Sequence, residues 1–142
     1  MPIVLDMSRD GLEKVLRDYQ IKVLEVIWRN PDKGLTSREI YEHVNKVLKS
    51  RSVSRASIIN FLNEMCDYDV IKYEVESCKG GARRKYFQKL DEEGFKRFIV
   101  KRVLESFMKD FPEQTVLGIY DSLGANPSAM ELLMKLMNGP SH

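Results

Sequence analysis

One change of hydropathy period restricts this chain more than any other feature. Up to Tyr68 the apolar residues recur at helical spacing; then Ile71, Tyr73 and Val75 alternate with Lys72, Glu74 and Glu76. Strict alternation is the pattern of a half-buried strand. Ser77 to Ala82 contains Gly80-Gly81, a hairpin turn that tolerates positive φ. Arg83 to Lys89 is the return strand, anchored by Tyr86 alone or with Phe87, and from Asp91 the helical period resumes. The fold class is therefore mainly α with one small β-hairpin.

Three helical patterns precede the hairpin. Residues 1–16 are an N-terminal extension in which Ser8 is placed to cap a short helix carrying Leu12, Val15 and Leu16, weakened by Gly11. Asp18 to Arg29 is the first regular helix, with Asp18 as N-cap. Leu24, Ile27 and Trp28 share a face, Val23 and Ile21 lie nearby, and Trp28 is expected as a core anchor. Asn30 to Gly34 stops this helix. Thr36-Ser37-Arg38-Glu39 is a capping box that opens the second helix, and Leu35 with Ile40 forms a hydrophobic staple around it. Ile40, Val44, Val47 and Leu48 form the apolar stripe, with His43 off it and solvated. Residues 49–53 connect to the third helix.

That third segment, Ser54 to Asp67, organises the rest. Ser54 is placed to accept from the backbone N–H of Ser57 as N-cap. Ile58, Phe61, Leu62 and Met65 fall on one arc that faces a core. Ala56, Asn60 and Asn63 fall on the opposite arc, flanked by Ser57 and Ile59. A solvated face usually carries Lys and Glu, whereas this one is small, polar and uncharged until Glu64. Asn bonds adenine through two groups, Ser bonds bases or phosphate, and Ile or Ala touches a thymine methyl. The acids come late, at Glu64, Asp67 and Asp69.

Net charge over the 142 residues is only +2. Its distribution is more telling. Asp and Glu are absent from His43 to Asn63 and again from Ser77 to Leu90. The first window holds Lys46, Lys49, Arg51 and Arg55; the second holds Lys79, Arg83, Arg84, Lys85 and Lys89. Such windows are a phosphate-binding footprint. Three helices followed by a hairpin with a basic tip define a winged helix-turn-helix over residues 17–90. Its third helix would enter the major groove and its hairpin would lie along the backbone as a wing. The expected partner is double-stranded DNA. Ser54 and Arg55 would meet phosphate or the first base edge, Ser57, Asn60 and Asn63 would read bases, and Arg51, Lys79, Arg83, Arg84 and Lys85 would hold the backbone.

Residues 91–142 form an apolar helical tail. Phe95, Phe98, Ile99, Val103, Phe107 and Phe111 run along one side; Pro112 interrupts. Val116, Leu117, Ile119, Tyr120 and Leu123 follow, and Asn126-Pro127-Ser128 opens a last helix with Met130, Leu132, Leu133, Met134, Leu136 and Met137. About 50 residues are too few for a good core of their own, and four of the seven Met lie here, a residue suited to adaptable interfaces. The tail is therefore expected to be a C-terminal helical dimerisation region that pairs the chain with itself, with Phe98, Val103, Phe107, Leu117, Tyr120, Leu133 and Met137 at the interface.

Several segments resemble the penicillinase-repressor family of winged-helix regulators, the BlaI/MecI/CopY type. Leu16 to Trp28 is similar to the family's opening helix, Leu35 to Ile40 to its second-helix start, and Ser54 to Met65 to its recognition helix, with Ser57 and Asn60 at the positions of two Thr. Lys85-Tyr86-Phe87 sits where the wing's aromatic strand belongs, and Ser128 to Leu136 resembles the closing dimerisation helix. The resemblance implies a homodimeric repressor of a palindromic operator. Arg55, Ala56 and Ile59 depart from the family's usual residues, so an operator sequence does not carry over. The cysteine-rich motif of the copper-responsive branch is missing, nothing marks the proteolysis site of the β-lactam branch, and no small-molecule effector is assigned. A MarR-like dimer is the near neighbour.

Other classes are poorly served by this sequence. Cys66, Cys78, His43 and His142 make no zinc spacing, no H-E-x-x-H, G-x-S-x-G or P-loop occurs, and neither a cofactor nor an enzymatic activity is expected. No run of 18 apolar residues suggests a membrane span, and the charged N-terminal segment does not read as a secretory signal, which makes the cytoplasm the expected compartment. A winged-helix module that docks on other proteins is the alternative, but it does not call for acid-free basic windows.

Overall fold

The computed structural model describes residues 3–48 and 52–139. After a 3-10 turn at Gly11–Lys14 come α1 (Asp18–Arg29), α2 (Ser37–Val47), α3 (Arg55–Asp67), β1 (Ile71–Cys78), β2 (Gly81–Gln88), α4 (Glu92–Asp110), α5 (Pro112–Gly124) and α6 (Pro127–Asn138). This is the mainly helical class with one antiparallel hairpin that the hydropathy periods predict. No described helix is long and apolar enough to cross a membrane. The chain packs as two units, residues 1–98 and 99–142, and the division falls inside α4.

The first unit is built on α1 to α3. Asp18 is not the N-cap of α1, as its residue type suggests. Arg17 takes that place in extended conformation, and buried Gln20 reaches back so that its Oε1 accepts from the Arg17 N–H at 2.8 Å. Asp18 sits one position inside, where its charge suits the positive helix end. Val23, Leu24, Val26 and Ile27 are buried. Trp28, expected as a core anchor, is half-buried. Its indole N–H donates to the Leu90 carbonyl at 3.2 Å and its ring lies 5.7 Å from that of Phe95, so it clasps the start of α4. Ser8 does not cap a helix either. It donates twice to the Asp6 carboxylate, at 2.9 and 2.6 Å, and Gly11 at φ 55° leaves only the 3-10 turn.

The capping box of α2 forms as its residues predict: the Glu39 N–H donates to Thr36 Oγ1 at 3.2 Å and the Thr36 N–H to Glu39 Oε1 at 3.0 Å. The backbone bond from Thr36 holds the Glu39 carboxyl below its ordinary pKa. Leu35 and Ile40, the staple, are both buried. The stripe ends earlier than expected, because the helix stops at Val47, which is exposed, and Leu48 is half-buried; His43 is half-buried rather than solvated. The α2–α3 connection is fastened by Asn45, whose amide accepts from the Val53 N–H at 2.7 Å and donates to the Val53 carbonyl at 3.1 Å. Ser54 caps α3 as predicted, its Oγ accepting from the Ser57 N–H at 3.1 Å, and Ile58, Phe61, Leu62 and Met65 are all buried.

The hairpin pairs Ile71 with Gln88 through Cys78 with Gly81, closed by Lys79 and Gly80. It is less buried than alternation suggests. Ile71 and Tyr86 are in the core, but Tyr73 is 41% and Val75 63% exposed, because β1 leaves the helices after its first residue and projects. What fixes it is a bridge to the loop before α2: the Leu35 N–H donates to the Tyr86 carbonyl at 3.0 Å and the Tyr86 N–H to the Leu35 carbonyl at 2.8 Å. Gly34 makes this approach possible. Its φ is +71°, and a Cβ there would lie 2.5 Å from the Phe87 ring.

In the second unit, Pro112 opens α5 at its first turn, and Asn126 caps α6, its Oδ1 accepting from the Ala129 N–H at 3.0 Å. Phe107 and Phe111 stack at 5.6 Å. α6 buries none of its residues. Because Gly34 satisfies both a left-handed backbone and a close contact, Gly34→Ala is expected to destabilise the fold by about 1–3 kcal/mol. A urea titration checks this; an unchanged midpoint would mean that the bridge tolerates a shifted Phe87.

Candidate nucleic-acid interface

Packing Ile58, Phe61, Leu62 and Met65 inward turns the opposite face of α3 out. Ala56, Asn60 and Asn63 are exposed, with Ser57 and Ile59 half-buried at its edges. The first turn of α3 holds no acid, so the positive helix end is uncompensated. Ser54 and Ser57 also bond to each other, Oγ to Oγ at 2.9 Å.

Two arginines bracket this face. Arg55 Nη2 donates to Ser37 Oγ at 3.3 Å and ties the start of α3 to the start of α2. From the hairpin, Arg84 Nη1 donates to Asn63 Oδ1 at 3.3 Å. The Arg84 guanidinium lies 4.0 Å from the centre of the Tyr73 ring, a cation–π arrangement. A side-chain hydrogen bond with Tyr86 raises its pKa above the ordinary value. Between them runs an open cleft of about 570 Å³ whose lining includes Ser37, Arg38, Arg55, Ile59, Asn63 and Arg84.

The remaining wing cations differ from what the acid-free window suggests. Glu76, from the opposite strand, takes Arg83 at 2.6 Å and Lys85 at 3.6 Å. Its own carboxyl is held below its usual pKa, first by the Arg83 bond. Lys89 pairs with Asp69 at 3.1 Å. Lys79 is exposed at the turn; among the described residues neither it nor Arg84 has a carboxylate ion pair. Arg51 and Lys49 lie outside the described residues. The structure thus brings Ser54, Arg55, Ser57, Asn60, Asn63 and Arg84 to one surface. Ser37, Asn45 and Tyr73 support this surface by holding Arg55, Val53 and Arg84, roles that the residue patterns did not assign to them. Only Asn45 carried a signal, as a poor helix former at a half-buried place in α2.

The tail residues singled out for dimerisation fall into three groups. Phe98 packs in its own unit, its ring 6.1 Å from those of Tyr68 and Phe95. Val103 and Leu133 are half-buried, whereas Phe107, Leu117, Tyr120 and Met137 are exposed, Met137 to 72%.

Helix, turn and recognition helix followed by a bridged hairpin define a winged helix-turn-helix protein. The penicillinase repressor family model matches residues 16–139, and the chain belongs to that family. It is a DNA-binding transcriptional regulator and not an enzyme. Comparison with curated proteins finds no match. Two solved structures share the fold. A possible transcriptional regulator from Methanosarcina mazei Go1 is 10% identical with a TM-score of 0.53, covering 70% of this chain and 76% of its own. The Aeropyrum pernix ORC1 protein in complex with DNA is 19% identical with a TM-score of 0.50, covering 58% of this chain; this chain spans 23% of its length.

Since Glu76 occupies two wing cations at the surface, where ion pairs are weak and exchangeable, Glu76→Gln is expected to tighten DNA binding and steepen its salt dependence. Fluorescence anisotropy titrations against salt check this. Weaker binding would show that Glu76 orients the wing rather than competing for it.

Proposed function

We propose that this chain is a homodimeric repressor that reads a palindromic operator, with α3 in the major groove and the hairpin as its wing. In this reading residues 17–90 are the DNA-binding domain and 91–142 the dimerisation region. The observation that carries it is the uncharged polar face of α3 set between Arg55 and Arg84. Ser57, Asn60 and Asn63 meet base edges, Ser54 and Arg55 meet phosphate or the first base edge, and Lys79, Arg83, Arg84 and Lys85 hold the backbone with Arg51.

The dimer is supported by what a single chain leaves uncovered. Leu117, Tyr120, Leu132, Leu136 and Met137 are each more than half exposed, on helices too apolar for that exposure to suit a monomer. Two paired copies place their α3 helices on half-sites about 34–36 Å apart. The test is a binding selection on randomised duplex DNA, with affinity followed against salt. A palindromic motif and a steep negative log–log slope are expected. No binding at low salt would favour protein docking instead.

Asn60→Ala should cost about 1–3 kcal/mol and relax one operator position; equal loss on operator and random DNA would remove its base-reading role. The double variant Leu117→Asp, Met137→Asp should sediment as a monomer and lose affinity for the full palindrome by roughly tenfold or more, about 1.4 kcal/mol. A dimer that survives both changes would place the interface elsewhere.

A further inference from the structure

Asn63 differs from Asn60 although both lie on the outer arc of α3. Its Oδ1 already accepts from Arg84, and that guanidinium is seated on the Tyr73 ring. An arginine is a donor only, so the contact fixes which way the Asn63 amide points: Oδ1 toward the wing, Nδ2 free to donate. A free Asn reads adenine by accepting from N6 and donating to N7. Here the acceptor half of that pattern carries a bond from a cation, and the positive charge beside it disfavours an incoming amine. The edge offered to the groove consists of donors.

The geometry points to Asn63 and Arg84 acting as one donor unit that selects guanine, with Tyr73 as the positioning residue. Guanine is the base that presents two adjacent acceptors, N7 and O6, in the major groove. This inference rests on α3 reading bases as proposed above. It departs from a purely phosphate-holding role for Arg84: the arginine works beside Asn63 at the edge of the outward face of α3, and its loss alters which base is read. Cross-strand register explains the construction. Arg84 pairs opposite Val75, and Tyr73 pairs opposite Tyr86 on the same side of the hairpin, so the aromatic ring lies diagonally beneath the guanidinium. The neighbours Arg83 and Lys85 point the other way, to Glu76.

The test is the selection on randomised duplex DNA repeated with variants of the full chain. Asn63→Ala locates the base pair that depends on Asn63. The wild-type chain should prefer G·C there over A·T by roughly tenfold. Arg84→Ala frees the amide, and the preference should move to A·T. Tyr73→Leu should move it the same way, while Tyr73→Phe, which keeps the ring, should leave G·C preferred. An A·T preference in the wild type, or an Arg84→Ala variant that keeps G·C while binding weakens uniformly, overturns the inference and leaves Arg84 as a phosphate contact. Asn63→Ala changing no position overturns it as well, with the operator reading intact. A wild-type chain that selects no motif would instead sink the proposed function itself.

Discussion

Two backbone hydrogen bonds between Leu35 and Tyr86 decide how the hairpin sits against α2 and α3. A two-stranded hairpin is marginal by itself, and β1 leaves the core after Ile71. The bridge gives the hairpin a third, single-residue strand and joins it to the loop that begins α2. Gly34 allows the backbone to come this close by lying flat against the Phe87 ring. Tyr86 then carries its side chain into the core while its neighbour Arg84 reaches Asn63 on α3. One contact therefore sets the wing, the start of α2 and the outer face of α3 in a common frame.

α3 is held in that frame from the other end by small polar devices. Asn45 takes both backbone groups of Val53, so the chain enters α3 at a fixed angle. Ser54 then caps the helix, and Arg55 ties back to Ser37. Each of these bonds is individually worth about 1 kcal/mol, far less than burial of the apolar stripe from Ile58 to Met65. Their value is directional: the stripe holds α3 on the core, and the polar bonds determine which residues look outward.

Much of this was legible in the residues. Capping at Thr36 and Ser54, the inward arc of α3, the hairpin and the helical tail all follow from local patterns whose chemistry lies within a few positions. What escaped the reading depends on partners distant in sequence. The acid-free window from Ser77 to Leu90 looked uniformly cationic, yet Glu76 stands opposite Arg83 once strand register is known. Tyr73 and Val75 followed a burial alternation, but the pattern does not say how far a strand extends past the helices beneath it. Arg17 rather than Asp18 starts α1 because the buried Gln20 amide reaches back and accepts from the Arg17 N–H. Trp28 spends its indole N–H on Leu90, 62 residues away, which no window could reveal.

In the proposed mode the outer face of α3 and the wing together meet DNA. An NMR titration of isotope-labelled protein with a selected duplex tests it most directly. Shifts concentrated on the amides of residues 54–63, the side-chain amides of Asn60 and Asn63, and residues 79–84 are the predicted result. Shifts centred instead on Glu25, Arg29 and Glu92, around the acidic cleft beside Trp28, with α3 unmoved, would contradict it.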